Sequence, residues 1–248
     1  MSTYTKEIQS LQHPSVKHLV KLRKEKRYRA ECQSLLIEGR KMVFESPLPL
    51  KTLIILTGTP IPQKLEAETT LIVTQEILEK ISGTKAPEPY LAEIPYPTSL
   101  SLAGKTKLLA LDGVSDPGNV GTLIRTALAL GFEGIFLTVG SADPFMDKAL
   151  RASKGASLHL PIQIGTEGEL LTLIEENHLS PYVADSKGKN ETSFTSPLIL
   201  ILGSESHGPS KVFKEIGTLI SIPMIGETES LNVAVAGGIL MNKIQEHQ

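Results

Sequence analysis

The chain has 248 residues, of which 40% are hydrophobic and 21% charged, and its formal net charge is −2. This length suits one large domain or two modest ones, and the composition excludes a disordered or fibrous protein. The single cysteine, Cys32, excludes an internal disulfide and a cysteine-based zinc cluster, and it predicts a reducing, cytoplasmic setting. The polar start and the lack of an apolar run of about 20 residues predict neither a signal peptide nor a membrane span.

Positive charge is concentrated at the start of the chain. Residues 1–41 contain ten lysines and arginines against four glutamates, a balance of +6, so the remainder is near −8. Clustered cations are expected where a protein contacts the phosphates of nucleic acid. A solvated, salt-bridged helix face would have the same composition, so charge alone leaves both interpretations open.

The first part of the chain predicts a small α/β domain. A charged, amphipathic helix is expected at about 13–29, and short apolar runs predict strands at 35–37, 53–56 and 71–73. Helices are expected at 39–45 and between Thr74, a suitable N-cap, and Gly83, a suitable stop. The proline-rich stretch 87–97 ends this domain, which therefore covers residues 1–97, and the polar stretch 98–106 is interpreted as a linker.

From residue 107 to 248 the pattern predicts a second domain in which strands and helices alternate. Strands are expected at 108–111, 134–138, 158–162, 182–184, 198–202 and 219–222. Helices are expected at 119–130, 144–153, 167–176, 209–213 and 231–246. Continuous apolar strands that alternate with helices predict an α/β fold whose mostly parallel sheet is covered on both faces.

Three polar segments of the second domain, 112–125, 200–210 and 221–238, each begin at or just after an apolar strand. In an open α/β sheet ligands bind outside the carboxyl ends of the strands, so these segments predict one composite site. Their candidate functional side chains are those of Asn119, Arg125, Glu205, Ser230 and Asn232. Taken singly, Asn119 is interpreted more readily as a helix N-cap and Arg125 as a surface or ion-pair residue.

The loops lack the motifs of several common enzyme classes. The glycines at 113, 118 and 121 do not have the G-x-G-x-x-G spacing of a dinucleotide site, and no loop ends in the Lys-Ser/Thr of a P-loop. The six histidines are scattered without the spacing of metal ligands, and no serine lies in a G-x-S-x-G turn. Hydride transfer, P-loop phosphate chemistry and hydrolase chemistry therefore lose support, and no metal is expected.

Three motifs in order resemble those of the SpoU (TrmH-like) family of RNA ribose 2′-O-methyltransferases. The first, N-x-G-x-x-x-R, is formed by Asn119, Gly121 and Arg125. The second is the G-x-E-x-x-G loop at 203–208, and the third is Ile-Pro-Met at 222–224 followed by Ser-Leu-Asn-Val at 230–233. Each motif alone is weak, whereas three in the correct order and spacing are specific, and the resemblance covers residues 107–246.

The resemblance implies S-adenosylmethionine as methyl donor, a trefoil-knotted SPOUT domain and a homodimer. It places Gly203, Ile222 and Leu231 in the donor site and makes Arg125 the centre of the chemistry. Since a guanidinium keeps its proton, Arg125 is interpreted as clamping a phosphate and stabilising the developing alkoxide rather than as a general base. Asn119, Glu205, Ser230 and Asn232 would orient Arg125 and the ribose.

The start of the chain resembles the L30e-like substrate-binding domain of these enzymes, which grips structured RNA. The clustered cations would then contact RNA phosphates. The candidate RNA-binding residues are Lys21, Arg23, Lys24, Lys26, Arg27, Arg29 and Arg40. The expected substrate is ribosomal RNA, 23S first, ahead of transfer RNA. A catalytically silent RNA-binding assembly factor of the same fold is the alternative from another class.

Overall fold

The computed structural model describes residues 4–97, 101–225 and 230–247. The chain divides into two compact units, one formed by Met1–Thr98 with Phe145–Leu158 and the other by Ser99–Pro144 with His159–Gln248. Each predicted domain is continuous in sequence. In the structure, however, the segment 145–158, which lies inside the predicted second domain, groups with the first unit. Residues 98–100 of the predicted linker lie outside the described residues.

The first unit is built on a mixed sheet. Its strands are β1 (Tyr4–Ile8), β2 (Ser34–Glu38), β3 (Leu50–Leu56), β4 (Ala67–Val73) and β5 (Tyr90–Pro95), and its helices before residue 100 are α1 (Pro14–Lys24), α2 (Lys26–Cys32), α3 (Arg40–Phe44) and α4 (Gln75–Ser82). The strand order is β1-β4-β3-β5-β2. Strands β1, β4 and β3 are mutually parallel, and β5 runs antiparallel to both of its neighbours, β3 and β2. Thr74 and Gly83 cap α4 as predicted.

The single helix predicted at 13–29 is wrong, because the chain forms two helices that meet at Glu25. Glu25 is extended, with φ −113° and ψ 108°. The buried guanidinium of Arg29 donates from Nη1 to the carbonyl oxygens of Leu22 and Arg23 at 2.9 and 3.1 Å. These carbonyls belong to the last turn of α1, where helix hydrogen bonds run out, so a side chain from α2 satisfies them.

The second unit carries the predicted parallel sheet. Its strands are β6 (Lys107–Asp112), β7 (Gly134–Thr138), β8 (Ile162–Gly165), β9 (Ser180–Lys189), β10 (Leu198–Gly203) and β11 (Thr218–Ile220). The remaining helices are α5 (Pro117–Ala129), α6 (Asp147–Ser153), α7 (Glu167–Glu176), α8 (Lys211–Ile216) and α9 (Val233–Glu246), of which α6 lies in the first unit. The strand order is β11-β9-β10-β6-β7-β8, and each adjacent pair is parallel. This sheet confirms the predicted fold class.

The segment 145–158 packs within the first unit through α6. Arg151 lies 3.7 Å from Glu38 of β2, and the rings of Tyr96 and Phe145 meet edge to face with centroids 5.2 Å apart. The strand predicted at 158–162 is wrong in its position, because Ala156–Leu158 form a 3₁₀ turn and β8 begins only at Ile162. The preceding Pro161 has no amide hydrogen to donate to a ladder.

Close packing of α9 on α5 explains the glycine at position 237 of the last helix. A Cβ on Gly237 would overlap the side chains of Leu123 and Leu202. The helix can therefore approach both α5 and β10 only because this position has no side chain. The same packing positions Asn232, at the start of α9, beside the start of α5.

Candidate active site

The loop after β10 folds back on the end of its own strand. A Cβ on Gly203 would overlap the backbone of Gly208 and Pro209, so only glycine fits where the loop returns. The amide of Gly208 donates to the carbonyl of Ser204 at 2.9 Å and closes the turn. This turn presents the side chain of Glu205 to the start of α5.

Three predicted catalytic side chains from three separate segments form one chain of hydrogen bonds. Asn119 donates from Nδ2 to Oε1 of Glu205 at 2.8 Å, and Asn232 donates from Nδ2 to Oδ1 of Asn119 at 3.2 Å. The amide of Ser115 donates to Oε2 of Glu205 at 3.4 Å. The loop after β6, the loop after β10 and the start of α9 therefore converge, as the predicted composite site requires.

The carboxyl of Glu205 is held in its charged form. Its partial removal from water raises the pKa, but hydrogen bonds from the Asn119 side chain and from the amides of Glu205, Ser115 and Asp116 outweigh this effect. The pKa of Glu205 consequently lies below its ordinary value. The site contains a carboxylate at neutral pH, and Asn119 supplies a donor to it.

The two asparagines have different structural duties. The N-cap of α5 is Asp116, whose Oδ1 accepts the amide hydrogen of Asn119 at 2.9 Å, so the interpretation of Asn119 as the N-cap is wrong. The side chain of Asn119 is therefore available to join Glu205 and Asn232. Asn232 does cap its helix, because its Oδ1 accepts from the amides of Ala234 and Val235 at 2.9 and 3.3 Å.

Arg125 lies apart from these residues within the chain. It is exposed, and it makes no hydrogen bond or ion pair to Asn119, Glu205 or Asn232 within the described residues. Six residues along an α-helix correspond to a rotation of about 600°, so Arg125 points roughly 120° away from Asn119. The hydrogen bonds described within this chain therefore do not connect Arg125 to these three residues, and their role in orienting Arg125 stays a prediction.

A cavity of about 720 Å³ adjoins the hydrogen-bond chain. Its lining includes all three predicted donor-site residues, Gly203, Ile222 and Leu231, and three predicted catalytic residues, Glu205, Ser230 and Asn232. The exposed Ser230 thus reaches the site as part of this wall, while residues 226–229 lie outside the described residues. The volume is within the range of about 300–1,000 Å³ that small-molecule sites occupy.

The cavity has an apolar part and a charged part. Its apolar lining includes Leu202, Leu219, Ile220, Ile222, Leu231, Val233 and Leu240, and its charged lining includes Asp185, Lys187, Glu205 and Lys214. A nucleoside with a charged amino-acid tail needs both kinds of surface, so the lining fits S-adenosylmethionine. Sequence reasoning missed Asp185, Lys187 and Lys214, which belong to none of the three motifs.

Sequence reasoning also missed Asp112, which fixes the loops around the site. This residue ends β6 and is buried. Its Oδ2 accepts the amide hydrogen of Ser210 at 2.7 Å, and its Oδ1 accepts from the hydroxyl of Thr138 at 3.0 Å. A carboxylate directly after the apolar run 108–111 was the available signal for such a role.

The predicted RNA-binding residues fall into exposed and packed groups. Lys21, Lys24, Lys26, Arg27 and Arg40 are exposed. Arg29 is only 2% exposed and holds the end of α1, so the prediction that it contacts RNA is wrong. Arg23 is half-buried, and its guanidinium lies against Gly83 at the end of α4. Their packing could not be read from a run of charges.

The exposed lysines of α1 form a ridge. Lys17, Lys21 and Lys24 are spaced at i, i+4 and i+7, which places them on one helix face. The ammonium of Lys21 lies 5.3 Å from the centroid of the Tyr28 ring. We call these three residues the α1 lysine ridge; Lys17 was not among the predicted RNA contacts.

Within residues 4–97, 101–225 and 230–247, no three His, Cys, Asp or Glu side chains converge as a metal site would require. Every helix in that part of the chain is too short or too polar to traverse a bilayer.

Comparison with known proteins identifies the family. Residues 107–242 match the model of the SpoU rRNA Methylase family, and residues 13–92 match that of the MRM3-like substrate binding domain. The chain belongs to the SpoU rRNA methylase family. This confirms the resemblance drawn from the three motifs and from the basic start of the chain.

Relatives of this SpoU family member match along almost the whole chain. It is 32% identical to the 23S rRNA (guanosine(2553)-2′-O)-methyltransferase RlmP of Bacillus subtilis, covering 95% of this chain and 98% of that protein. The AdoMet-bound rRNA methyltransferase of Sinorhizobium meliloti superposes with a TM-score of 0.83 at 28% identity, covering 98% of both chains. A putative RNA methyltransferase of the TrmH family from Porphyromonas gingivalis gives 0.81 at 31% identity, covering 96% of this chain and 100% of that one.

Proposed function

We propose that this protein transfers a methyl group from S-adenosylmethionine to a ribose 2′-hydroxyl of structured RNA, most specifically 23S ribosomal RNA. One observation carries the proposal. A single cavity is lined both by the predicted donor residues Gly203, Ile222 and Leu231 and by the predicted catalytic residues Glu205, Ser230 and Asn232. Such an arrangement allows a bound donor to meet an acceptor at the hydrogen-bonded side chains.

The protein must align the two reactants, and the ribose 2′-hydroxyl must lose its proton as its oxygen takes the methyl group. S-adenosylmethionine, when bound, supplies a methyl group already activated on a sulfonium. The apolar wall at Ile222 and Leu231 would hold its adenosine, and Gly203 would allow the backbone to approach it. Glu205, kept charged by Asn119, and the hydroxyl of Ser230 would orient the ribose. Holding two reactants in a near-attack geometry contributes on the order of 7–11 kcal/mol at best.

Homodimerisation would give Arg125 a place in the chemistry. Arg125 and Leu128 share one face of α5, and Leu128 is exposed together with Val235 and Ile239 of α9. Apolar side chains at i and i+4 of a helix form a stripe that favours burial against a partner. A second copy that covers this face would place its own Arg125 at the boundary between the two subunits. There the guanidinium could clamp an RNA phosphate and stabilise the developing ribose alkoxide. The trefoil knot stays a prediction.

RNA binding is assigned to the first part of the chain. We assign residues 1–97 to substrate binding, residues 98–106 to a linker and residues 107–248 to methyl transfer. The α1 lysine ridge, Lys26, Arg27 and Arg40 supply exposed cations for phosphates. RlmP acts on 23S rRNA, and its similarity over 95% of this chain supports ribosomal RNA over transfer RNA. Action in the cytoplasm stays a prediction.

The alternative is a silent RNA-binding assembly factor of the same fold. A binding protein would have no use for a hydrogen-bond chain that opens into a cavity lined by donor-site residues. A transfer RNA methyltransferase would keep that chain, so only the identity of the labelled RNA separates it from the favoured function.

The test is transfer of labelled methyl from S-adenosylmethionine to total RNA, and separately to ribosomal particles, that lack the modification. The RNA would be separated by size and digested to nucleosides. We expect a 2′-O-methylated nucleoside in 23S rRNA with wild type and with Lys211→Ala, an exposed cation outside the cavity. Arg125→Ala should abolish transfer while donor binding persists. Label confined to transfer RNA would identify the alternative substrate, and donor binding with no transfer to any RNA or ribosomal particle would favour the silent factor.

A further inference from the structure

The charged part of the cavity contains an ion pair that the three motifs do not include. Nζ of Lys214 on α8 lies 2.9 Å from Oδ2 of Asp185 on β9. The Asp185 side chain is 12% exposed and that of Lys214 is 34% exposed, and both line the cavity. The pair thus faces the space proposed for the methyl donor.

Apolar packing already attaches α8 to β9 without this pair. Phe213 is fully buried in the same cluster as Val183. A Cβ on Gly217 would come within 2.6 Å of Cγ2 of Val183, so the end of α8 lies directly against the strand. A purely structural role would leave unexplained why the charges point into a cavity.

The pair can accept a further charged group without coming apart. Lys214 has three hydrogens to donate, and a carboxylate has about four acceptor positions. Asp185 uses one oxygen for Lys214 and the other for the amide of Lys187 at 2.8 Å. The hydrogen bond from Lys214, together with the amide of Lys187, lowers the pKa of Asp185 despite its burial, so the carboxylate stays charged.

We infer that Asp185 and Lys214 bind the amino-acid end of S-adenosylmethionine, with Lys214 on its α-carboxylate and Asp185 on its α-ammonium. The inference rests on the proposed donor site. The donor's adenosine is suited to the apolar lining near Ile222 and Leu231, which leaves its zwitterionic end for the charged lining. A paired cation and anion complements a zwitterion and adds no net charge beside the sulfonium.

Binding calorimetry on the intact protein, with three ligands, tests whether Lys214 binds the α-carboxylate and Asp185 the α-ammonium. S-adenosylhomocysteine carries the whole amino acid, its decarboxylated analogue keeps only the ammonium, and 5′-methylthioadenosine keeps neither group. Lys214→Gln should weaken S-adenosylhomocysteine roughly ten-fold or more, the usual effect of losing one charged hydrogen bond. It should leave the other two ligands within about two-fold, because neither has the carboxylate.

Asp185→Asn should weaken S-adenosylhomocysteine and the decarboxylated analogue but not 5′-methylthioadenosine. Lys211→Gln is the matched control, because it makes the same change from lysine to glutamine at an exposed position of α8. It should change none of the three affinities. Equal loss for 5′-methylthioadenosine would overturn the inference, since the pair would then hold the nucleoside or the fold. Unchanged binding in both variants would also overturn it while leaving the proposed function intact. Failure of wild type to bind any of the three ligands would instead refute the donor site itself.

Discussion

The side-chain amide of Asn119 donates from Nδ2 a 2.8 Å hydrogen bond to Oε1 of Glu205, which joins the first turn of α5 to the loop after β10. The two residues are 86 positions apart in sequence. Asn119 also accepts from Asn232, so it is the middle member of the chain of side chains. A change at Asn119 therefore affects both the charge state of Glu205 and the start of α9.

Replacement of Asn119 by alanine should lower methyl transfer without lowering donor affinity. Removal of a hydrogen bond to a charged group costs about 1.5–3 kcal/mol, so we expect kcat/KM to fall roughly 10- to 100-fold. S-adenosylhomocysteine binding should stay within about two-fold, measured by calorimetry. Thr122→Ala is the control, because its hydroxyl donates only to the carbonyl of Gly118 in the same helix. Equal transfer by wild type and Asn119→Ala would remove Asn119 from the site.

The pKa of Glu205 predicts a pH-dependent contribution to stability. Because the folded pKa is lowered, the charged group stabilises the fold above its unfolded pKa of about 4.3, and this contribution is lost as pH falls through the folded value. At neutral pH the free energy of unfolding of wild type should exceed that of Glu205→Gln by up to about 1 kcal/mol. The difference is this small because the site is partly solvated. Urea denaturation between about pH 3 and 7 measures the difference. A difference that persisted at the acid end would contradict this origin.

Serine and alanine at position 232 should separate two roles of Asn232. Asn232→Ala removes the cap of α9 and should cost about 1 kcal/mol of unfolding free energy. Asn232→Ser keeps a capping oxygen but lacks the amide that donates to Asn119. We expect the serine variant to have nearly wild-type stability and reduced methyl transfer. Full transfer by the serine variant would show that capping is the only contribution of Asn232.

Arg29 should stabilise the first unit rather than bind RNA. Arg29→Met leaves the carbonyls of Leu22 and Arg23 without this donor and should cost about 2–3 kcal/mol of unfolding free energy. Arg27→Met is the matched control, because Arg27 is exposed and its pair with Glu31 contributes only about 0.3–0.5 kcal/mol. Chemical denaturation measures both variants. A loss of RNA affinity by Arg29→Met at unchanged stability would restore Arg29 as an RNA-binding residue.

The α1 lysine ridge should supply salt-dependent RNA affinity. Replacing Lys17, Lys21 and Lys24 by glutamine should weaken RNA binding and lower the slope of log affinity against log salt by about 0.7–0.9 for each phosphate that a lysine no longer neutralises. Filter binding between about 50 and 200 mM salt measures this slope. Donor affinity should not change. An unaltered slope would place the RNA on another surface of the first unit.

Much of the active site could be predicted because its motifs specify side chains at strand ends. Parallel strands bring their carboxyl ends to one edge of a sheet, so Asn119, Glu205 and Asn232 were expected to converge, and they do. Gly203, which was predicted in the donor site, lines the cavity beside these residues. The predicted sheet followed from the apolar runs alone.

The errors arise where tertiary contacts override local pattern. The run 13–29 has helical periodicity throughout, yet a buried Arg29 ends α1 by capping its carbonyls from the next helix. Asp185 and Lys214 meet only through the packing of α8 on β9, which no spacing between them could reveal.

The attachment of residues 145–158 to the first unit limits how the chain can be recombined. A chimera cut within 98–106 would join α6 to a foreign β2 and would separate Phe145 and Arg151 from their native neighbours, Tyr96 and Glu38. An RNA-binding half exchanged between relatives must therefore be accompanied by this short segment from within the methyltransferase half. The exchangeable part of this protein would then consist of two separate stretches of sequence rather than one.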